Sequence, residues 1–380
     1  MNQLVRIGDV CTVVSGSTPK TTVEDYWDGD VRWITPAELN ADSFYIYDSV
    51  KHITELGRLK TGLSYMPVGT VILSSRAPIG KTAIAGSEMC CNQGFKNLIC
   101  SDKIYNEYLY HFLRAKTDYL NSLGRGAPFK EISKANVENI VIPLPSMEEQ
   151  HEIANIFACV EENIKLRKQQ LAELDELVKA RFVELFGDPQ TNPNGYEQPK
   201  LSKIATYFNG LTYKPENVTE AGTIVLRSSN IQNSQLDFAD TVRVDCAIKE
   251  KLMVQENDIL MCSRNGSARL VGKVALIKEI QEPMTFGAFM MIIRSHYHSY
   301  LMTYFQMDAF RQQIKTGATT TINQITGRML DDVIVPLPPM QLVEQFATFV
   351  EQTDKSKLVV QNSIAELEEL KKSLMQKYFG

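Results

Sequence analysis

The sequence predicts an α+β fold: two strand-rich domains separated by two long helices packed as an antiparallel coiled coil, with the halves forming a pseudo-twofold internal repeat. Three observations carry this. First, Glu173 to Gly187 aligns with Glu366 to Gly380 at an offset of 193, so the two halves share an ending. Second, no Gly or Pro occurs from Met147 to Phe186 or from Met340 to Phe379, as a long uninterrupted helix requires. Third, the segments before these tails contain short β-branched runs punctuated by Gly, Pro, Asn and Ser.

The first front part, 1–146, contains the runs Thr70 to Leu73 and Ile140 to Ile142; the second, 187–339, contains Thr223 to Leu226 and Val271 to Ile277. Further matches tie them together: Ile140 to Pro145 on Val333 to Pro338, Val71 to Arg76 on Ile259 to Arg264, Gly80-Lys81 on Gly272-Lys273, and Gly16 on Gly210. The unit is therefore duplicated at long period, unlike a solenoid of short repeats.

The first tail, 147–186, opens on Ser146-Met147-Glu148-Glu149, a capping box in which a hydroxyl and a carboxylate satisfy amides left orphaned at the helix start. Spacings of four and three select Ile153, Phe157, Val160, Ile164, Arg167, Leu171, Leu174, Val178, Arg181 and Leu185, a coiled-coil seam. In the second tail, 340–380, the seam is Phe346, Val350, Thr353, Lys357, Val360, Ile364, Leu367, Lys371, Leu374 and Tyr378. Packing one seam on the other buries both. A helix of this length spans ~60 Å at 1.5 Å per residue, so the pair would act as a ruler between the front domains.

Composition bounds the function. A chain of 380 residues with 44% hydrophobic and 22% charged residues is globular, with room for two or three domains. No apolar run reaches the ~18 residues of a membrane span, and Asn2, Gln3, Arg6 and Asp9 occupy the place of a signal peptide's apolar stretch. Seven cysteines without a CxxC pair suggest neither disulfides nor structural zinc, and the expected location is the cytoplasm. Basic and acidic residues balance in both front parts, 15 against 15 in each, so the net charge of -5 lies on the tails. Any nucleic-acid surface must be a local cluster.

Catalytic motifs do not assemble. Gly80-Lys81-Thr82 lacks the upstream glycine of a phosphate loop, and the second copy has Val274 for the hydroxyl; a turn into a strand Thr82 to Ala85 accounts for it better. Gly124-Arg125-Gly126 lacks a strand-turn-helix continuation, and Asn192 to Gly195 reads as a turn. His296 and His298 form the one close histidine pair, better explained as a strand end than a metal site. The expectation is a non-enzyme with no catalytic residue, metal or cofactor of its own.

What remains is polar and basic side chains in glycine-containing loops at equivalent places in the two halves. Around the repeated Ser-Arg these are Ser75, Arg76 and Lys81, and Ser263, Arg264, Asn265, Ser267, Arg269 and Lys273. Before the Pro-Leu-Pro element they are Arg125 and Lys130, and Thr319, Thr320 and Asn323. A third group is Asn92 to Lys96, with Gln93 and Lys96 as contacts and Phe95 as core. Arg, Asn, Gln and Ser pair with base edges, while Arg and Lys neutralise phosphates. For any one of these residues taken singly, a solvated loop is the better account.

The whole pattern resembles the specificity subunit of type I restriction-modification systems. The resemblance rests on two divergent domains, each closing with Pro-Leu-Pro and a long helix, on the hallmark Ile142 to Gln150 with its counterpart Val335 to Gln345, and on the endings Leu185-Phe186-Gly187 and Tyr378-Phe379-Gly380. The second copy departs through Pro339 and a two-residue stretch before Glu344-Gln345. The resemblance implies a non-catalytic chain whose two target-recognition domains each read half of a split site in double-stranded DNA. It implies helices that set the spacing and dock two modification subunits, which bind S-adenosylmethionine and methylate adenine, with restriction subunits using ATP joining them. Two rivals compete: a coiled-coil adaptor with protein-binding front domains, which the neutral charge of those domains favours, and an enzyme of unfamiliar type.

Overall fold

The computed structural model describes residues 3–40, 42–76, 78–126, 130–315 and 323–380. They fall into two compact units, Met1–Lys168 with Gln361–Gly380, and Gln169–Val360. The long helices span Met147–Phe186 and Met340–Phe379, as the Gly- and Pro-free tails predict, but the units cut across them: each unit includes a segment of both.

Among the described residues, the first unit has a five-stranded sheet in the order Cys11–Ser15, Lys96–Cys100, Val71–Leu73, Thr82–Ala85, Tyr45–Ile46. A three-stranded sheet orders His52–Ile53, Trp27–Ile34, Cys90–Cys91, and Gln3–Arg6 pairs antiparallel with Val141–Leu144. Val71, Ile72 and Leu73 are fully buried because both faces of their sheet are covered, which is why the sequence there is a continuous apolar run without alternation. Val71 and Leu73 face a core with Tyr108, Leu109, Phe112 and Leu113 of the helix Asn106–Ala115; Ile72 faces the other way, onto Ala83, Ala85 and Phe95.

The second unit repeats this plan. Its first four-stranded sheet orders Thr206–Asn209, Met290–Arg294, Ile259–Cys262, Val274–Leu276; its second orders Val218–Thr219, Val242–Val244, Thr223–Leu226, Met284–Phe286. Strand Ile259–Cys262 divides as its counterpart does, with Ile259 and Met261 in a core with Tyr300 and Tyr304, and Leu260 and Cys262 in one with Phe286 and Ile292. Trp27–Ile34 and Thr223–Leu226 each lie between an antiparallel and a parallel neighbour.

Both repeated glycine positions have steric reasons. A side chain at Gly16 would meet the Asn92 carbonyl oxygen at 2.1 Å, and one at Gly210 the Gly287 carbonyl oxygen at 2.2 Å, so only glycine lets these strands pass. Gly80 and Gly272 have φ of 96° and 83°, the left-handed turn that leads each chain into the next strand. The strand after Gly80 runs Thr82–Ala85, as the turn reading expects.

The helix start follows from its capping box. Ser146 N–H donates to Glu149 Oε2 at 3.0 Å, and Glu149 N–H donates to Ser146 Oγ at 3.2 Å. The following Gln150 is buried; its amide accepts from Tyr105 N–H at 2.8 Å and donates to the Lys103 and Pro145 carbonyls. Buried Val343 lies 193 residues further on, and Gln345 is exposed, so the second copy replaces this polar latch with an apolar contact. The proline elements are also tied: Tyr108 donates its hydroxyl to the Pro143 carbonyl at 2.8 Å and Tyr300 to that of Pro336 at 2.7 Å.

The helices pair antiparallel within each unit. In the first, Phe157 stacks on Phe379, and Lys371 and Lys168 reach Glu161 and Glu368. In the second, Lys357 pairs with Asp175 at 2.5 Å and Phe182 packs edge-on to Phe346. Of the seam positions, Ile153, Phe157, Val160, Ile164, Val178, Phe346, Thr353 and Val360 are buried; Arg167 is exposed. Among the described residues no helix is long and apolar enough to cross a membrane.

Candidate nucleic-acid interface

The loops at one end of the paired sheets are assembled by backbone hydrogen bonds that recur in both units. Ser75 N–H donates to the Gly94 carbonyl at 2.8 Å, and Ser75 accepts from Ile132 N–H at 3.0 Å. In the second unit Ser263 N–H donates to the Phe289 carbonyl at 3.0 Å, and Ser263 accepts from Ile325 N–H at 2.7 Å. Within the first unit, residues from three segments singled out from sequence therefore meet around Ser75, Gly94 and Glu131-Ile132, and within the second unit the counterparts meet around Ser263, Phe289 and Ile325.

Repeated lysines hold a fourth segment there. Lys81 Nζ donates to the carbonyls of Pro36 and Leu39 at 3.1 and 2.5 Å, closing the turn after Trp27–Ile34. Lys273 Nζ does the same for the Ile231 carbonyl at 3.0 Å, after Thr223–Leu226. These turns are pinned alike, by Glu38 accepting from Thr35 N–H and Asn230 from Arg227 N–H.

The sequence candidates separate accordingly. Lys81 and Lys273 have their ammonium groups on backbone carbonyls, and Ser75 is fully buried. Lys96, 7% exposed, pairs with Glu131 at 3.0 Å. Expected as DNA contacts, these four act as framework in this structure, with polar groups engaged on protein partners, Lys273 through one bond. Phe95 is core, as expected.

The remaining candidates lie toward solvent. Arg76 is half-buried beside Gly94, where an added side chain would meet its Nε at 3.4 Å. Gln93 is exposed and accepts from the Thr18 hydroxyl; Arg125 and Lys130 are exposed on the loop that pairs Arg125 with Glu131. In the second unit Arg264, Ser267, Arg269 and Asn323 are exposed, while Asn265 donates to Ser228 Oγ at 3.3 Å and Asn323 to the Gly266 carbonyl at 3.3 Å. Thr319 and Thr320 lie outside the described residues. Beneath the loops, burial pushes the Cys91 thiol up to about 12 and raises that of Cys262, which keeps both protonated and inert.

Among the described residues no cluster of three or more His, Cys, Asp or Glu could hold a metal; His296 and His298 flank the start of the helix His298–Tyr304. In each unit the surface offers hydrogen-bond donors, amides and cations, which suits recognition.

The family model for the type I restriction modification DNA specificity domain matches residues 2–176 and again 193–369. The chain belongs to this family. It is 27% identical to the type I restriction enzyme MjaIX specificity subunit of Methanocaldococcus jannaschii over 98% of this chain and 91% of that one. It is 24% identical to the EcoKI specificity subunit of Escherichia coli over 80% and 72%. Among solved structures, one described as the structural basis of complex assembly and conformational transition of the type I R-M system matches 99% of this chain and 97% of its own, with a TM-score of 0.64 at 19% identity. The S subunit of a type I restriction-modification system from M. genitalium matches 100% and 96%, with a TM-score of 0.56 at 15% identity. At such identities these two likenesses speak for the fold.

The chain is thus a specificity subunit, the DNA-recognition component of such systems and not a catalyst. Within it, sequence reasoning missed Thr18, which the structure brings beside Gln93 in the first unit, and Ser228 and Phe289, which it brings beside Asn265 and Arg264 in the second. Thr18 and Ser228 lie in loops that carry no part of the Ser-Arg repeat. Phe289 is an aromatic residue flanked by core strands, and only its 59% exposure distinguishes it from core.

Proposed function

We propose that the two units each read one half of a two-part sequence in double-stranded DNA, and that the paired helices fix the separation of the halves. The observation that carries this reading is the recurrence of one backbone scaffold under different side chains. The same hydrogen bonds hold the loops in both units, yet the groups toward solvent are half-buried Arg76 with exposed Gln93, Arg125 and Lys130 in one and exposed Arg264, Ser267, Arg269 and Asn323 in the other. Backbone contacts that ignore side-chain identity allow the readers to differ, and different readers select different bases.

On this reading the helices also dock two modification subunits, with restriction subunits joining them in the cytoplasm; S-adenosylmethionine and ATP belong to those partners. Exposed apolar side chains along the helices, Leu166, Leu177, Leu358, Val359 and Leu370, support a docking role, since a helix pair acting only as a spacer gains nothing by exposing them.

The test is to replace residues 1–146 with those of another recognition domain and sequence methylated adenines in a host carrying the modification partner. The expected outcome is a motif altered in one half and preserved in the other. An unchanged motif would overturn the reading and favour the protein adaptor.

A further inference from the structure

We propose that Arg264, stacked on the exposed ring of Phe289, reads a guanine in the half-site belonging to residues 187–339. This rests on the two-part DNA readout proposed above and assigns one base of it.

The Phe289 backbone is fixed by three donors on its carbonyl: Ser263 N–H at 3.0 Å, Ser263 Oγ at 3.0 Å and Arg264 N–H at 3.1 Å. With its backbone held at a turn between the strands Met284–Phe286 and Met290–Arg294, the ring stands 59% exposed. The ring is therefore presented to solvent beside the Ser263-Arg264 segment.

The guanidinium of Arg264 sits over that ring, 5.4 Å from its centroid, within the ~6 Å of a cation–π contact. The Arg264 backbone is also bridged to Gln324, so both ends of the side chain are restrained. Among the described residues Arg264 forms no ion pair, unlike Arg227 and Arg243, whose guanidinium groups are held by Asp240 and Glu282.

A guanidinium placed over a ring keeps N–H groups free for a ligand and narrows the positions open to the side chain. Those groups match the O6 and N7 acceptors of guanine, and pre-organisation reduces the side-chain entropy lost on binding. The neighbouring amides are less available, because Asn265 and Asn323 already donate to Ser228 and to the Gly266 carbonyl. At the same place in the first unit Arg76 lies against Gly94, so among the described residues the ring-backed arginine belongs to the second unit.

The experiment uses the chain with its modification subunits and a duplex carrying the methylated motif. The half-site of residues 187–339 is the half that changes when that segment is exchanged. Each guanine in this half is replaced by 7-deazaguanine, which removes the N7 acceptor while leaving pairing intact, and affinity is measured for the native chain, Arg264→Gln, Arg264→Lys and Phe289→Ala. One 7-deaza substitution should weaken native binding roughly 5- to 100-fold and have no further effect in Arg264→Gln. Arg264→Lys should retain DNA affinity while losing the preference for that base, and Phe289→Ala should reduce it partly. A half-site without guanine, or a 7-deaza penalty that persists undiminished in the Arg264 variants, would overturn the assignment. A motif that does not follow residues 187–339 at all would instead sink the two-part readout itself.

Discussion

Lys81 and Lys273 provide the sharpest separation between holding the loops and reading DNA. In Lys81→Met the side chain keeps its length and loses the two bonds to the Pro36 and Leu39 carbonyls, of which Leu39 is 1% exposed. Bonds from a charged donor contribute about 1.5–3 kcal/mol in sum once the half-buried setting of the ammonium is allowed for. For a unit of this size a melting point moves ~2–4 °C per kcal/mol, so the variant should melt about 3–12 °C lower. Lys273 makes one such bond, to the Ile231 carbonyl, and Lys273→Met should cost about half as much. Thermal unfolding followed by fluorescence gives the first readout and sequencing of methylated adenines the second. The motif should keep every letter in both variants. The reasoning is refuted if Lys81→Met melts with the native chain, or if one letter of the motif changes, since that would make the lysine a reader.

Three other perturbations test the packing that positions these loops. Burial pushes the His111 imidazole down to about 4, with Glu161 opposing and Arg114 and Lys371 reinforcing the shift. The folded value lies below the ordinary 6.5, so the unfolded chain takes the proton more readily. The stability from neutral His111 is then complete above pH 6.5 and lost as pH falls towards 4, by about 3 kcal/mol. Urea midpoints against pH should be flatter in His111→Phe than in the native chain, and equal slopes would refute this. Phe379→Ala removes a ring that touches Tyr108, Phe112 and Phe157 and is 2% exposed; about 3–5 kcal/mol should be lost in urea titration. Arg294→Met leaves the Asp258 carboxylate buried with only the Gln255 N–H for a partner and should cost about 3 kcal/mol by the same measurement, whereas Asp258→Asn, which removes the charge as well, should cost less.

The parts of the fold that follow from periodicity and covalent rule were legible in the sequence. The long helices, the seam, the capping box at Ser146 and the turn glycines at 80 and 272 each have a local cause that a run of residues displays. Gln150 was visible as part of a motif, but its burial was not, because its partners Tyr105 and Lys103 lie more than forty residues upstream. The candidate site was half legible for the same reason. Gly-Lys was recognised as repeated and its lysine read as a phosphate contact, since nothing local reveals that the ammonium folds back onto a turn formed by another strand. Phe289 could not be found at all: its exposure is set by which carbonyl the Ser263-Arg264 segment engages.

On the proposed readout, the framework lysines explain how one fold can carry residues as unlike as Arg76 beside Gly94 and Arg264 over Phe289. A loop held by side-chain contacts is committed to its own residues, because changing one partner leaves the other buried and unsatisfied. Here the recurring bonds end on backbone atoms: Ser75 on the Gly94 carbonyl and Ser263 on that of Phe289, Lys81 on Leu39 and Lys273 on Ile231. Every residue offers a carbonyl, so the position held by glycine in one unit accepts phenylalanine in the other with the same bond intact. The neutral charge of both front parts fits this arrangement. With equal numbers of acids and bases, 15 of each, non-specific attraction to phosphate is weak, and on the proposed readout discrimination falls to a few exposed side chains.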